Sequence, residues 1–196
     1  MTRTGTRDEL IRVGTEIIGQ HGFSTTGINA VLSTAGIPKG SFYYYFSSKE
    51  DFGLAVIEAS ARAYAERIDG FLADTRYSPL ERIRNYMNSV MANIEAGECR
   101  TGCLIGNLSQ ELSSQNETFR ARLDDVFLGW QQQFARCLDE AKAAGEIAAD
   151  TDTDKLAEYL LAGWQGAILR SKMCKDVAPM QSFMDIVFSQ VLKPAA

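Results

Sequence analysis

The chain of 196 residues holds a single histidine, His21, with only four cysteines, four prolines and two tryptophans. One histidine leaves little basis for metal chemistry or imidazole catalysis. There is no pair of CxxC knuckles and no HExxH, and Cys99 and Cys103 have nothing nearby to complete a four-ligand zinc site. Neither a metal nor a cofactor is expected. Long apolar runs are missing too, since none approaches the ~18 residues of a membrane span. Between Met1 and Gln20, Glu9, Arg12 and Glu16 interrupt any apolar leader. A cytoplasmic protein with reduced thiols is expected, and no membrane partner. Positive charge is also scarce: 20 basic residues face 25 acidic ones, for a net charge of −5. Such a bulk balance argues against a general nucleic-acid binder. What remains, 45% apolar and 23% charged, is an ordinary globular composition that excludes disordered or collagen-like chains.

The periodicity is helical throughout, and no stretch shows the period-2 alternation and turn pairs of strands. Leu10, Ile11, Val13, Ile17 and Ile18 share one face of a first helix that Gly22 stops. A short helix follows from about Gly27 to Thr34, then a turn at Ala35-Gly36-Ile37, then a second short helix opened by Pro38. Ser47 with Glu50 reads as a capping box for a helix over about 48–71. Ser78-Pro79-Leu80-Glu81 repeats that signature for a helix to about Glu95. Further helices are expected over about 104–112, from 116 or 117 to near Gly145, after Asp150-Thr151-Asp152-Thr153 to Met173, and from Pro179 to Leu192. The expected architecture is all-α with about nine helices. Residues 1–50 are expected to form a three-helix domain linked through the helix at 48–71, and residues 51–196 a helical bundle.

Function concentrates between Gly27 and Lys49. Two short helices joined at Gly36 make a helix-turn-helix pattern, whose second helix enters the major groove. Lys39 supplies a cation there, Gly40 lets backbone approach closely, and Ser41 offers a small donor and acceptor. The hydroxyls of Tyr43, Tyr44 and Tyr45 can reach phosphates or bases, while Phe42 and Phe46 pin the helix to the core. Lys49 stands in the first turn of the next helix, where backbone N–H groups favour a phosphate. The local charge agrees, with five basic against three acidic residues in 1–49, a balance of +2 against −7 for the rest.

These residues carry a resemblance. Residues 7–58 resemble the N-terminal domain of the TetR family of bacterial repressors. The matching features are His21-Gly22-Phe23, Thr25-Thr26, the run from Ala35-Gly36-Ile37-Pro38 through Tyr45-Phe46, and Ser48-Lys49-Glu50. The resemblance implies a homodimeric repressor of double-stranded operator DNA, with residues 1–50 as its DNA-binding domain and residues 51–196 as its effector-binding and dimerisation domain. The DNA would be contacted by Thr26, Lys39, Ser41, Tyr43, Tyr44, Tyr45 and Lys49. Of these, Tyr43 and Lys49 would meet phosphates. Tyr45 departs from the pattern, where histidine is more usual.

Two later segments, Arg100 to Leu108 and Gly163 to Lys172, resemble a branch of the same family that responds to small electrophiles or acrylate. That likeness points to Cys103, whose thiolate would be favoured at a helix start and beside a cation such as Arg100 or Lys172. The effector would be a small electrophile or a small acid, the latter paired with Lys172. Trp130, Phe134 and Trp164 are large enough to wall a ligand cavity, the alternative being plain core, where aromatics at helical spacing more often lie. Cys99, Cys137 and Cys174 read as packing or solvent-facing residues, with Cys174 beside Lys175 a second candidate. Gly163, Gly166 and Ala167 would let helices approach closely, either at a dimer interface or in packing within one chain. A small cysteine-dependent enzyme is the rival reading, but His21 lies inside the DNA-binding pattern and no Cys/His/acid set accompanies it. A protein-interaction module is the third reading.

Overall fold

The computed structural model describes residues 3–192. Nine α-helices follow one another among them, and no strand: α1 (Arg3–His21), α2 (Ile28–Thr34), α3 (Phe42–Tyr45), α4 (Lys49–Leu72), α5 (Pro79–Ala96), α6 (Leu104–Leu112), α7 (Glu117–Ala143), α8 (Thr153–Cys174) and α9 (Ala178–Ile186). A 3₁₀ turn, Lys39–Ser41, leads into α3, and a π-helical turn, Val187–Val191, continues α9. None of these helices is long and apolar enough to cross a membrane. Packing divides the chain into two compact units. The first takes residues up to Ala63 together with Cys103–Asp124; the second takes Tyr64–Gly102 and the residues from Asp125 onward.

In the first unit, α1 buries Leu10, Ile11, Val13 and Ile18 and turns Arg12 outward. On that solvent face Arg12 pairs with Glu9 at 2.7 Å and Glu16 at 2.5 Å, neighbours one turn away. Gly22, at φ +85°, ends the helix in the left-handed region that glycine tolerates best. The core centres on Phe42, Phe46 and Phe52, whose ring centroids lie 5.0 to 5.6 Å apart. Gly14 of α1 faces this cluster so closely that a Cβ would come within 2.3 Å of the Phe52 ring.

The cap of α4 lies one residue beyond the expected one. Ser48 accepts the Asp51 N–H at 3.0 Å, and Asp51 in turn accepts the Ser47 N–H at 2.8 Å. Glu50 instead takes a hydrogen bond from Asn116 at 3.0 Å. Pro38 also differs from expectation: with ψ 140° it stands outside the short helix and precedes the 3₁₀ turn.

In the second unit, α5 begins with the full Ser78–Glu81 capping box and Pro79 in its first turn. Arg82, almost wholly buried, donates to the carbonyls of Leu72 and Tyr77 and to Glu140, at 2.8 to 3.0 Å. A buried guanidinium is tolerable because its donors find partners. The Asp152 side chain caps α8 by accepting the Lys155 N–H at 3.1 Å, and Lys175 closes that helix at φ 58°. Gly163 of α8 receives the Phe183 ring of α9, at 2.4 Å from where a Cβ would stand. That closeness therefore serves packing within one chain. Gly166 is open, and Ala167 is buried.

Candidate nucleic-acid interface and sensing segment

The turn between α2 and α3 is set by Gly36, at φ +66°. Its C-terminal pattern is complete: Ile37 N–H donates to Leu32 C=O at 2.9 Å and Gly36 N–H to Ser33 C=O at 3.2 Å. The segment that follows turns its two phenylalanines in and its tyrosines out. Phe42 and Phe46 are about 1% exposed or less, whereas Tyr43 is 69% and Tyr44 61% exposed. Lys39 and Gly40 are exposed, and Ser41 and Tyr45 are half-buried. Tyr44 and Tyr45 meet edge to face at 5.1 Å. A segment that anchors itself by two buried rings and spends two others on solvent is built to present them.

Lys49, first residue of α4, is half-buried. Its ammonium donates to the Ser24 carbonyl at 3.1 Å and lies 4.7 Å from the Phe23 ring centre. It stands at the positive end of a helix, where a phosphate is doubly favoured. Thr26 does not behave as expected of a contact residue. It is 4% exposed, and its hydroxyl donates to the Gly22 carbonyl at 2.6 Å. The neighbouring Thr25 is the exposed one, with its hydroxyl on the His21 carbonyl.

Glu111, on α6, was not among the expected site residues. Its carboxylate accepts the Phe23 N–H at 2.9 Å and the Ser24 N–H at 2.6 Å, gripping the turn between α1 and α2. Partial burial pushes its pKa up. The hydrogen bonds from Ser24 and Phe23 and the charge of Lys49 together outweigh that and hold it below the ordinary glutamate value. In sequence Glu111 looks like one more polar residue on an amphipathic helix.

Cys103 occupies the N-cap of α6, where its Sγ accepts the Gly106 N–H at 3.5 Å, and it is 8% exposed. Gly102 before it takes φ +70°, and a Cβ there would meet Ile168 and the Lys172 stem at 3.5 and 3.7 Å. Arg100 is exposed and bound to Glu98, so its charge is already engaged. Burial pushes Cys99 up and Cys137 up to about 12, while Cys174 is exposed.

The three expected cavity aromatics are all buried, in separate pairings. Trp130 meets Tyr64 and Phe127, Phe134 meets Tyr86, and Trp164 meets Phe183. A cleft of about 380 Å³ in the second unit is lined by Phe71, Asp74, Arg76, Tyr77 and Asn85. Among the described residues no cluster of His, Cys, Asp or Glu could hold a metal ion.

Comparison with known proteins agrees with this geometry. Residues 10–56 match the family described as bacterial regulatory proteins, tetR family, and residues 79–187 match the tetracyclin repressor-like C-terminal domain. The chain is 42% identical to the transcriptional regulator AcuR of Cereibacter sphaeroides, over 89% of this chain and 80% of that protein. It is 35% identical to the transcriptional repressor DhaR of a Mycobacterium species, over 98% and 95% of the two chains. The crystal structure of the reduced form of NemR from Escherichia coli superposes with a TM-score of 0.85 at 30% identity, over 93% of this chain and 96% of that one.

Proposed function

Because this chain belongs to the TetR family of DNA-binding transcriptional regulators, we propose that it is a homodimeric repressor whose residues 1–50 hold operator DNA and whose residues 51–196 sense a small molecule. The observation that carries this reading is the recognition segment, with Tyr43 and Tyr44 exposed beside Lys39 on a turn fixed by Phe42 and Phe46. Lys39, Gly40, Ser41, Tyr43, Tyr44 and Tyr45 would face the groove. Lys49 would take a phosphate at the start of α4. Thr26 would contribute through its place in the turn rather than through a free hydroxyl.

A twofold dimer would set two recognition segments into half-sites ~34–36 Å apart. The α8 face supports such pairing: Tyr159, Leu169 and Met173 are exposed at helical spacing, and Ile186 and Val191 are exposed further along the chain. These apolar side chains have the character of a surface meant to be covered. The effector we assign is a small electrophile, with Cys103 as the sensing thiol. Its support is the N-cap position, where Sγ accepts the Gly106 N–H and the start of a helix favours a thiolate. Effector binding shifts the dimer toward a form whose recognition segments no longer match the half-sites. A fluorescence-anisotropy titration of the DNA immediately upstream of the protein's own coding sequence tests the whole. Binding that outcompetes a random duplex is expected; equal affinity for both would refute an operator there.

A further inference from the structure

Lys49 holds a phosphate well only if its ammonium is kept in place, and the structure shows what keeps it there. The ammonium rests on two parts of the turn between α1 and α2: the Ser24 carbonyl at 3.1 Å and the face of Phe23 at 4.7 Å. Within that turn the Thr26 N–H donates to the Phe23 carbonyl, and the Thr25 and Thr26 hydroxyls donate to the carbonyls of His21 and Gly22. Phe23 and Ser24 give their N–H groups to no helix; both donate to the two oxygens of Glu111, at 2.9 and 2.6 Å. A carboxylate that accepts two adjacent backbone N–H groups fixes the orientation of the peptide between them. The peptide so fixed is the one joining Phe23 to Ser24, the two residues that carry Lys49. Ser24 is thus held on both sides, by a negative group at its N–H and a positive group at its carbonyl. The Gly22 position is equally close to Glu111, since a Cβ there would meet Oε2 at 3.0 Å.

We propose that Glu111 is a positioning residue for operator binding: from α6 its carboxylate orders the turn at Phe23-Ser24 and, through it, the phosphate-seeking ammonium of Lys49. The inference rests on the reading of Lys49 as a phosphate contact. Glu111 itself touches no DNA, and its negative charge would repel a phosphate. A loss of DNA affinity on removing it therefore runs against simple electrostatics, in which deleting an acid strengthens binding. The same α6 carries Cys103 at its other end, eight residues earlier, so a disturbance of the helix reaches this turn along one rigid element.

A double-mutant cycle on the full-length protein tests the proposal. Lys49→Ala, Glu111→Ala and the double variant are titrated with the upstream duplex and, at low salt, with a random duplex of equal length. Each single change is expected to weaken binding about tenfold, and the pair no more than the weaker single variant, as for residues acting through one contact. Glu111→Gln keeps one oxygen acceptor and should recover part of the loss. Should Glu111→Ala fail to melt cooperatively, Glu111→Gln carries the same cycle. Two results overturn the proposal: Glu111→Ala binding as well as the parent, or losses that multiply in the double variant. If Lys49→Ala alone left affinity unchanged at every salt concentration, the phosphate role would fall first and the proposal with it. If only the upstream duplex behaved like random DNA, the operator location would fail, while the cycle on random DNA would still decide about Glu111.

Discussion

Adding one methyl group at Gly53 separates two opposed effects along the same helix. Both Gly53 and Gly70 lie within α4, and replacing glycine by alanine in a helix interior gains about 0.8–1 kcal/mol from backbone entropy. At Gly70 nothing lies within 4 Å of the new methyl, so Gly70→Ala should realise that gain. At Gly53 the methyl would fall 2.5 Å from Phe23 Cε2 and 2.9 Å from Phe119 Cζ. Neither ring moves freely, because the two meet edge to face at 5.1 Å and both are buried. Overpacking of this kind costs about 1–3 kcal/mol, so Gly53→Ala should end at or below the parent. In a chain of this length 1 kcal/mol moves the melting temperature by about 2–4 °C. Melts at one matched protein concentration should place Gly53→Ala several degrees below Gly70→Ala. Phe23 also carries the Lys49 ammonium, so Gly53→Ala should weaken DNA binding while Gly70→Ala should not. A Gly53→Ala protein that melts as high as Gly70→Ala would refute the steric reading.

The DNA contacts can be read from salt dependence: Lys49→Ala should flatten the slope of affinity against salt by about one unit, and Tyr43→Phe should weaken binding nearly uniformly across sequences. For sensing, a Cys174→Ser background removes the one exposed thiol, and a brief pulse of limiting electrophile at pH 8 should then label Cys103 and release DNA. Peptide mapping that found the label elsewhere would reject Cys103. With its pKa raised by burial to about 12, Cys137 should present only about one thiolate in ten thousand at that pH and stay unlabelled. Assembly is tested by Leu169→Glu with Met173→Glu, which places two charges on the exposed α8 face. Light scattering should report the parent near twice 21.6 kDa and the variant near the single-chain mass; a variant that still scatters as a dimer would move the interface elsewhere.

Helices were legible because their apolar residues recur with the helical period over many turns, and so was the turn at Gly36. The errors of register have a common cause in doubled residues. Ser47 with Glu50 and Ser48 with Asp51 satisfy the same spacing, and only the folded chain shows that Ser48 and Asp51 make the cap. Thr25 and Thr26 are likewise equivalent in sequence, yet one faces solvent and the other is buried. Glu111 was invisible for another reason. Its partners lie 88 and 87 residues away and are backbone groups, which leave no trace in side-chain pattern. Gly163 left two partners open, the chain itself or a second copy, because a gap on a helix says only that something fits close; Phe183 of the same chain is what fits.

The interrupted make-up of the first unit has a consequence for its birth on the ribosome. Phe119 closes over Phe23, and Glu111 fastens the turn before α2, yet both lie beyond a detour through residues 64–102. Synthesis at ~5–20 residues per second puts roughly 3–12 s between the emergence of Ala63 and that of Asp124. Through that interval the nascent headpiece displays Phe23 and the open side of Gly53 without their cover. Late-arriving, distant contacts of this sort slow folding and leave apolar surface bare while they are awaited. A regulator assembled in this order gains its grip on DNA only after more than half its length has been made.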